Sequence, residues 1–478
     1  MSCFSVFLTF KIKHFLALVT LLSLALLILN LTSFRRFSSE INAVELDARI
    51  PTILWWTPFT GENGVLKTCD IGDDFQASCY FTNERKLYQK TKAGSRKIYI
   101  YDLRSCTIFL QALLFYGSSF NAWELPPQSP ERKRPLWALL HEESPRNTAL
   151  LQHESALSLF NFSATFSRHS DVPLTLQHLT SLEDLAGHKF LQSWQSKVQF
   201  QKEEGLAPVV FIQSDCDTST DRDSYVQELM KYVKVDSYGS CLQNKMLPES
   251  IRDPMSALHS DEFWRFQSKY KFSIAFENGE CLDYITEKLW RPLVIGSVPI
   301  YYGSPTFKDW LPFKNSTIDV RDYKSPKELA EFILMLDSDE KRYNQLLEHK
   351  MQSPERFSSE LLLQMLAERK WSVGEKLWNN FETKSLVEVF ECYVCQRVHE
   401  NLKEGESVVK LNHYECPPPV SALTKTTLNN SFWFEQWHQG QFEAQLVKEL
   451  VETGKVVTQD EFYEIVGQRM VAERKKKK

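Results

Sequence analysis

Short apolar runs separated by polar clusters, with stretches of helical spacing between them, fill the chain beyond residue 50. Thr52–Trp56 (TILWW) starts an apolar strand, Ala112–Tyr116 (ALLFY) and Leu136–His141 (LWALLH) continue a strand-and-helix pattern to about residue 190, and Pro208–Gln213 and Val235–Tyr238 read as strands. Between the last two, Tyr225, Val226, Leu229, Met230 and Val233 recur at i, i+3 and i+4. That spacing predicts a helix over Asp221–Val233, capped by Thr220 or Asp221. Residues 270–302 form the clearest unit. A strand runs to Phe276, Asn278-Gly279 breaks it, a helix spans Tyr284–Leu293 and ends near Pro292, and a strand follows over Val298–Tyr302. Residues 325–370 read as helices, and the polar run Gln195–Gly205 reads as a linker. The sum is an α/β chain of two halves, 51–195 and 205–384, with an extension over 385–478.

Upstream of this body, Phe15–Leu31 carries no charge and is flanked by Lys11, Lys13, Arg35 and Arg36. It predicts a cytoplasmic tail over 1–14, a single membrane anchor over 15–32 and a stem over 33–50. No small-x-small cleavage site follows, which favours an uncleaved anchor over a signal peptide. The body is then expected in the lumen of the Golgi or endoplasmic reticulum, in a single-pass type II arrangement. Asn161, Asn315 and Asn429 begin sequons there and are candidate N-glycosylation sites. All cysteines but Cys3 lie beyond the anchor, an odd number that leaves at least one unpaired. Cys392-x-x-Cys395 with His413 and Cys416 has the composition of a Cys3His zinc site, but an oxidising lumen favours disulfides.

The unit at 270–302 places its polar residues where chemistry is expected. Open α/β sheets bind ligands at the carboxyl ends of their strands, where Glu277, Asn278, Tyr284, Glu287 and Lys288 fall. A helix N-terminus with a nearby lysine suits a diphosphate, and a carboxylate suits the hydroxyls of a ribose. A nucleotide-sugar site is one reading. A Glu-Lys pair on a helix is more often a solvated face, so spacing alone leaves both open. A net charge of −5 and a pI near 6.2 give no sign of a nucleic-acid partner.

The wording of the segment goes further. FENGECLDYITEKLWR, residues 276–291, resembles the donor-binding motif of the α-1,3-fucosyltransferase family, and the likeness extends over roughly residues 50–400. HEESP (141–145), LFNFSATFSRHSD (159–171), QSDCD (213–217), DRDSYVQELM (221–230) and VDSYGSC (235–241) are most similar to a divergent branch described as protein O-fucosyltransferases. The resemblance implies a GT-B fold, with two Rossmann-like domains facing a cleft: an acceptor-side domain over 51–195 and a GDP-fucose-binding domain over 205–384. It also implies inverting transfer of L-fucose from GDP-β-L-fucose, with no metal or other cofactor. Glu143 matches the family's base, with Glu142 as its competitor. Arg222 and Lys288 match the phosphate-binding cations and Glu287 the ribose carboxylate. Asn278, Tyr284 and Ser214 match further donor contacts, and Cys69 and Cys79 match a disulfide pair.

Some features depart from the family pattern. Thr165-Phe166-Ser167-Arg168 lacks a donor-side tyrosine and keeps Arg168 alone as a possible donor-side cation, and Tyr301-Tyr302-Gly303-Ser304-Pro305 replaces an apolar pattern. Residues 94–111 have no counterpart, and no function is assigned to them. The acceptor is either a Ser or Thr of a folded cysteine-rich domain or a GlcNAc of a glycoprotein. The C-terminal extension is expected to serve acceptor use more than donor hydrolysis. Two alternatives stand beside this reading. Asp215-Cys216-Asp217 and Asp221-Arg222-Asp223 have the Asp-x-Asp form of metal-dependent transferases. A catalytically inactive luminal binding protein would be expected to have lost the base or the phosphate cations, and this chain retains them.

Overall fold

The computed structural model describes residues 50–476 apart from 60–62, 71–75, 90–96, 100–106, 129–133, 145–147, 254–256, 372–384 and 401–406. The expected cytoplasmic tail, anchor and most of the stem, together with Cys106, lie outside the described residues. Among those described, no helix is long and apolar enough to cross a membrane.

Two sheets organise the chain. The first contains β1 (Pro51–Thr57), β2 (Val65–Asp70), β3 (Gln76–Thr82), β4 (Lys97–Tyr99), β5 (Thr107–Tyr116), β6 (Leu136–His141) and β7 (Phe162–Thr165). Its order is β2-β3-β1-β5-β6-β7, with β4 paired to β5. The β3-β1-β5-β6-β7 body is parallel, and β2 and β4 are antiparallel additions. β4 and the start of β5 fall within the stretch that lacks a family counterpart, so part of that stretch extends the sheet.

The second sheet is wholly parallel: β8 (Val209–Ile212), β9 (Val235–Tyr238), β10 (Phe272–Phe276), β11 (Val298–Tyr302) and β12 (Ile318–Asp319), in the order β12-β11-β10-β8-β9. Helices α1 (Trp194–Glu203), α2 (Arg222–Leu229), α3 (Glu287–Ile295) and α4 (Pro326–Ser338) accompany it. α2 and α4 cover the face carrying Phe211, Ile274 and Ile300, and α3 covers the face carrying Ala275 and Tyr301. Such two-sided burial explains why these strands read as continuous apolar runs. The two α/β halves with parallel sheets are those the expected GT-B arrangement requires.

Several local expectations are corrected. Gln195–Gly205 is no linker: Ser193 caps α1 over most of it, and Lys197 is buried there with its Nζ on the carbonyls of Tyr270 and Gly296 and on the Tyr343 hydroxyl. The α3 helix starts at Glu287, where Thr286 caps it, and continues past Pro292 to Ile295. Its C-terminal carbonyls are held by Lys350 Nζ on Val294 (2.6 Å) and by His349 Nε2 on Leu293 (3.0 Å). The α2 helix stops at Leu229, and Asp221 at its start adopts a left-handed backbone without capping by its side chain.

The largest correction concerns the C-terminal region. It forms both covers of the first sheet. Ile53 and Trp55 of β1 pack against α5 (Leu386–His399), whereas Leu54 and Trp56 face α6 (Phe432–Thr453) and α7 (Gln459–Lys476). Trp55 Nε1 and Lys67 Nζ both donate to the buried Glu391 carboxylate of α5. Cys69 pairs with Cys392 and Cys79 with Cys395, so the expected Cys69–Cys79 bridge is replaced by two bonds that pin α5 to β2 and β3. Each such long-range bond stabilises by roughly 2–4 kcal/mol, by constraining the unfolded chain. Cys216–Cys241 and Cys281–Cys416 complete the pairing, which removes every sulfur from the Cys3His zinc alternative. The 94–111 cysteine apart, no described cysteine is left over. Deleting everything beyond 385 would therefore strip the first sheet, not merely an acceptor surface.

Between α5 and α6, residues 407–423 run as a strap along the first sheet and onto the second half. Val409 N donates to Phe160 O, Ser163 Oγ bonds His413 Nδ1, and Ser167 Oγ donates to Asn412 O. Leu282 N then donates to Glu415 O, and Ala422 N to Thr220 O. The strap also corrects one sequon. Asn161 is 2% exposed and uses both amide atoms, on Trp137 N and Ser407 O, so it offers no room for a glycan in the folded chain. Asn315 and Asn429 are exposed.

Candidate active site

A cavity of about 490 Å³ opens at the carboxyl ends of β8, β9 and β10. It gathers Ser214, Arg222, Asn278, Glu287 and Lys288, residues that lie far apart in the chain. The reason is topological: parallel strands deliver all their following loops to one edge of the sheet. Arg222, on the first turn of α2, is buried and donates to Phe276 O (2.9 Å), Asn278 Oδ1 (2.8 Å) and Asp215 O (2.7 Å). It thus ties the loop after β8 to the loop after β10.

The start of α3 forms the opposite wall. Burial alone would raise the Glu287 carboxyl, but Lys288, His178 and Arg291 hold it well below the usual carboxylate range. Lys288 Nζ lies 3.0 Å from Glu287 Oε1 and 3.9 Å from Glu277 Oε2. Glu277 is fully buried at the end of β10 and accepts from Thr286 N (2.8 Å) and Thr286 Oγ1 (2.7 Å), which sets the helix start over the cavity. Burial pushes its carboxyl up to about 7, against the pull of Lys288.

Two groups at or near the cavity were missed in the sequence. Arg291 lines the cavity with its guanidinium 5.3 Å from the Phe263 ring centre. It follows Glu287 by four residues and Lys288 by three, the spacing that puts them on one helix face, so this signal was available. His178 belongs to the first half yet sits close enough to feel Glu287, Lys288 and Arg291, and burial lowers it to about 4. No local pattern marked it.

Two expected donor residues are not brought into the cavity. Tyr284 is buried at the junction of the halves, its ring 5.0 Å from that of Phe166. Arg168 clasps Asp283 through both carboxylate oxygens, pairs with Asp309 and lies over the Trp310 ring. Among the Asp-x-Asp residues, Asp215 lines the cavity, Asp217 accepts from Trp433 Nε1 and Asp221 accepts from Ser224 and Ser421.

Glu143 stands exposed on the loop after β6. Its neighbour Ser144 is buried, with Oγ 3.6 Å from the place a side chain on Gly279 would start. The loop therefore meets the turn that carries Asn278. Beneath it, His141 is bonded through Nδ1 to Tyr414 Oη (2.6 Å) and through Nε2 to Ser118 Oγ (3.2 Å). Burial lowers His141 to about 3, so the ring is neutral, and the strap residue Tyr414 stacks on it. Glu142 differs from its neighbour. It accepts from Tyr116 Oη at 2.9 Å, and burial raises its carboxyl. Of the two glutamates, Glu143 has the exposure a base acting on an incoming hydroxyl needs.

A cationic cavity at parallel strand ends, with an exposed carboxylate on a neighbouring loop, suits group transfer from a nucleotide sugar. The model for glycosyltransferase family 10 (fucosyltransferase), C-terminal part, matches residues 201–414. The GDP-fucose protein O-fucosyltransferase 3 of Xenopus tropicalis is 42% identical over 428 residues, covering 87% of this chain and 84% of that protein. Its Homo sapiens counterpart is 41% identical over 437 residues, covering 88% and 84%. The chain belongs to the family 10 fucosyltransferases and is a fucosyltransferase. A crystal structure of an α1,3-fucosyltransferase with GDP-fucose aligns over 55% of this chain and 79% of that one, at 17% identity and a TM-score of 0.33.

Proposed function

We propose that this chain transfers L-fucose from GDP-β-L-fucose to a Ser or Thr hydroxyl of a folded, cysteine-rich protein domain in the secretory lumen. The observation that carries the donor is the cavity that joins Arg222, Asn278, Glu287 and Lys288. The relatives' description as protein O-fucosyltransferases supports the acceptor. Four disulfides among the described residues suit an oxidising compartment, in keeping with the anchor expected over 15–32.

In this reading the acceptor oxygen attacks C1 of fucose while its proton passes to Glu143. The bond from C1 to the β-phosphate oxygen breaks, and its electron pair leaves with GDP. Lys288, Arg291 and the α3 N-terminus stabilise that charge, and Glu287 stays ionised to hold the ribose hydroxyls. Arg222 positions Asn278 and adds its charge from below. With the diphosphate met by these groups, no metal is required.

The test uses the full chain with GDP-fucose in EDTA and two acceptor panels, folded cysteine-rich domains and N-acetyllactosamine glycans. Fucose on a Ser or Thr supports the proposal. Fucose only on GlcNAc overturns the acceptor, and activity lost in EDTA but restored by Mn2+ overturns the metal-independent route.

A further inference from the structure

The first turns of α6 carry an aromatic cluster that the fold itself does not use up. Further along the helix, Ala444, Leu446, Val447 and Leu450 are core residues of the first half. Gly440 brings α6 against the backbone of Ala149, where an added Cβ would lie 2.8 Å from it. Phe432, by contrast, is 59% exposed, and its ring lies 5.2 Å from that of Trp433. The Trp437 indole N–H has no partner among the described residues.

This cluster does not face away from the chemistry. A recess lined by Gln152, Gly279, Trp433, Gln436 and Trp437 opens between α6 and the turn after β10. Gly279 links this recess to the cavity. It follows Asn278, which lines the cavity, and a Cβ built on it would lie 3.6 Å from Oγ of Ser144, which follows Glu143. The recess thus adjoins both the donor turn and the base loop. Trp433 Nε1 donates to Asp217 Oδ1 at 2.6 Å, which fixes the helix end against the loop after β8.

Size selects the occupant. The recess measures about 30 Å³, room for one or two water molecules and not for a pyranose ring. Around it lie the rings of Trp433 and Trp437, the amides of Gln152 and Gln436, the Glu280 carboxylate and apolar proline and disulfide groups, a mixed surface on which rings give contact area and polar groups meet a polypeptide's main chain. We infer that the groove between the first turns of α6 and the Gly279 turn docks the acceptor polypeptide beside its fucosylated hydroxyl, with one small side chain seated in the recess. This rests on the reading that the acceptor is a protein. It gives the C-terminal helices a role in substrate choice beyond covering the sheet.

The experiment compares the full chain with Phe432→Ser and Gln436→Arg, using the cysteine-rich domain that accepts fucose best as the probe. Phe432→Ser removes an exposed ring, and Gln436→Arg fills the groove with a larger charged side chain. KM for the domain is expected to rise about 10-fold or more in both, while KM for GDP-fucose and GDP-fucose hydrolysis without acceptor stay within about two-fold. Unchanged acceptor KM in both variants overturns the groove, as does a parallel fall in transfer and hydrolysis. If the unaltered chain modifies only N-acetyllactosamine, the protein-acceptor reading fails first and takes this occupant with it. That outcome is distinct because it appears before any substitution is made.

Discussion

The two halves of this enzyme build their sites in opposite ways. The five-stranded sheet draws its cavity lining from several strand ends, but Asn278, Glu287, Lys288 and Arg291 all come from one stretch, 276–291, where strand end, turn and helix start follow one another. The seven-stranded sheet presents Glu143 from a short loop, but that loop and the His141 end of β6 beneath it are held by Tyr116 at the end of β5, Ser118 just after it, Gln177 after β7 and Tyr414 from the strap. The five-stranded half takes less from the C-terminal region: Ala422 and Leu423 at the edge of its core and the Cys281–Cys416 bond. The other needs the C-terminal region for its core, its disulfides and the underside of its base loop. On the proposed reading, the donor-side helix start is legible within one stretch, whereas the loop carrying the proposed base depends on distant segments.

Breaking the seven-stranded half should have the largest effect. A chain ending at 384 loses Cys392, Cys395 and Cys416 together with both covers of the first sheet, and is expected to yield no cooperatively folded protein. Circular dichroism melting and GDP-fucose binding would check this. Retained GDP-fucose hydrolysis in the truncated protein would show that the donor half stands alone.

At the base loop, Glu143→Gln is expected to lower kcat about 10²–10⁴-fold, the usual worth of a general base, with GDP-fucose affinity unchanged. Glu142→Gln keeps an acceptor for Tyr116 and should cost less than about 10-fold, so a larger loss there would transfer the role between neighbours. In the five-stranded half, Lys288→Ala should weaken GDP-fucose binding by about 10- to 100-fold, because hydrogen bonds to charged groups contribute roughly 1.5–3 kcal/mol. Calorimetry would read it, with the first half's melting behaviour unaffected.

The smallest effect is on acid stability. Burial lowers His141 to about 3, His178 to about 4 and His349 to about 3, all below the usual 6.5. The unfolded chain then binds more protons than the folded one below pH ~6.5, so stability is complete above that value and falls as pH drops toward 4. Tm is expected to fall by about 5 °C or more between pH 7 and 4.5, and His141→Gln should flatten part of that slope. A level profile would mean these imidazoles are not held neutral by burial.

Legibility followed the same division. The β-α-β unit at 270–302 was readable because its periodicity switches from strand to helix and back within one short stretch. Its helix boundaries shifted, since Thr286 supplies the cap and buried Lys350 and His349 hold the far end beyond Pro292. Arg291 was one helical turn from residues already singled out. Gln195–Gly205 looked like a linker because its polarity hides Lys197, whose partners are carbonyls brought in from 270 and 296.

The order of apolar and polar residues by itself determined that this is an α/β chain with a β-α-β unit at 270–302, and it placed Glu277, Asn278, Glu287 and Lys288 around the end of β10. Those properties depend on neighbours within a turn or a strand. Tertiary structure alone decided that Cys69 meets Cys392 and not Cys79, that Tyr284 and Arg168 brace the junction of the halves, and that α6 stands beside the base loop. Such pairings join residues hundreds of positions apart, and a one-dimensional pattern carries no record of which distant surfaces bury one another.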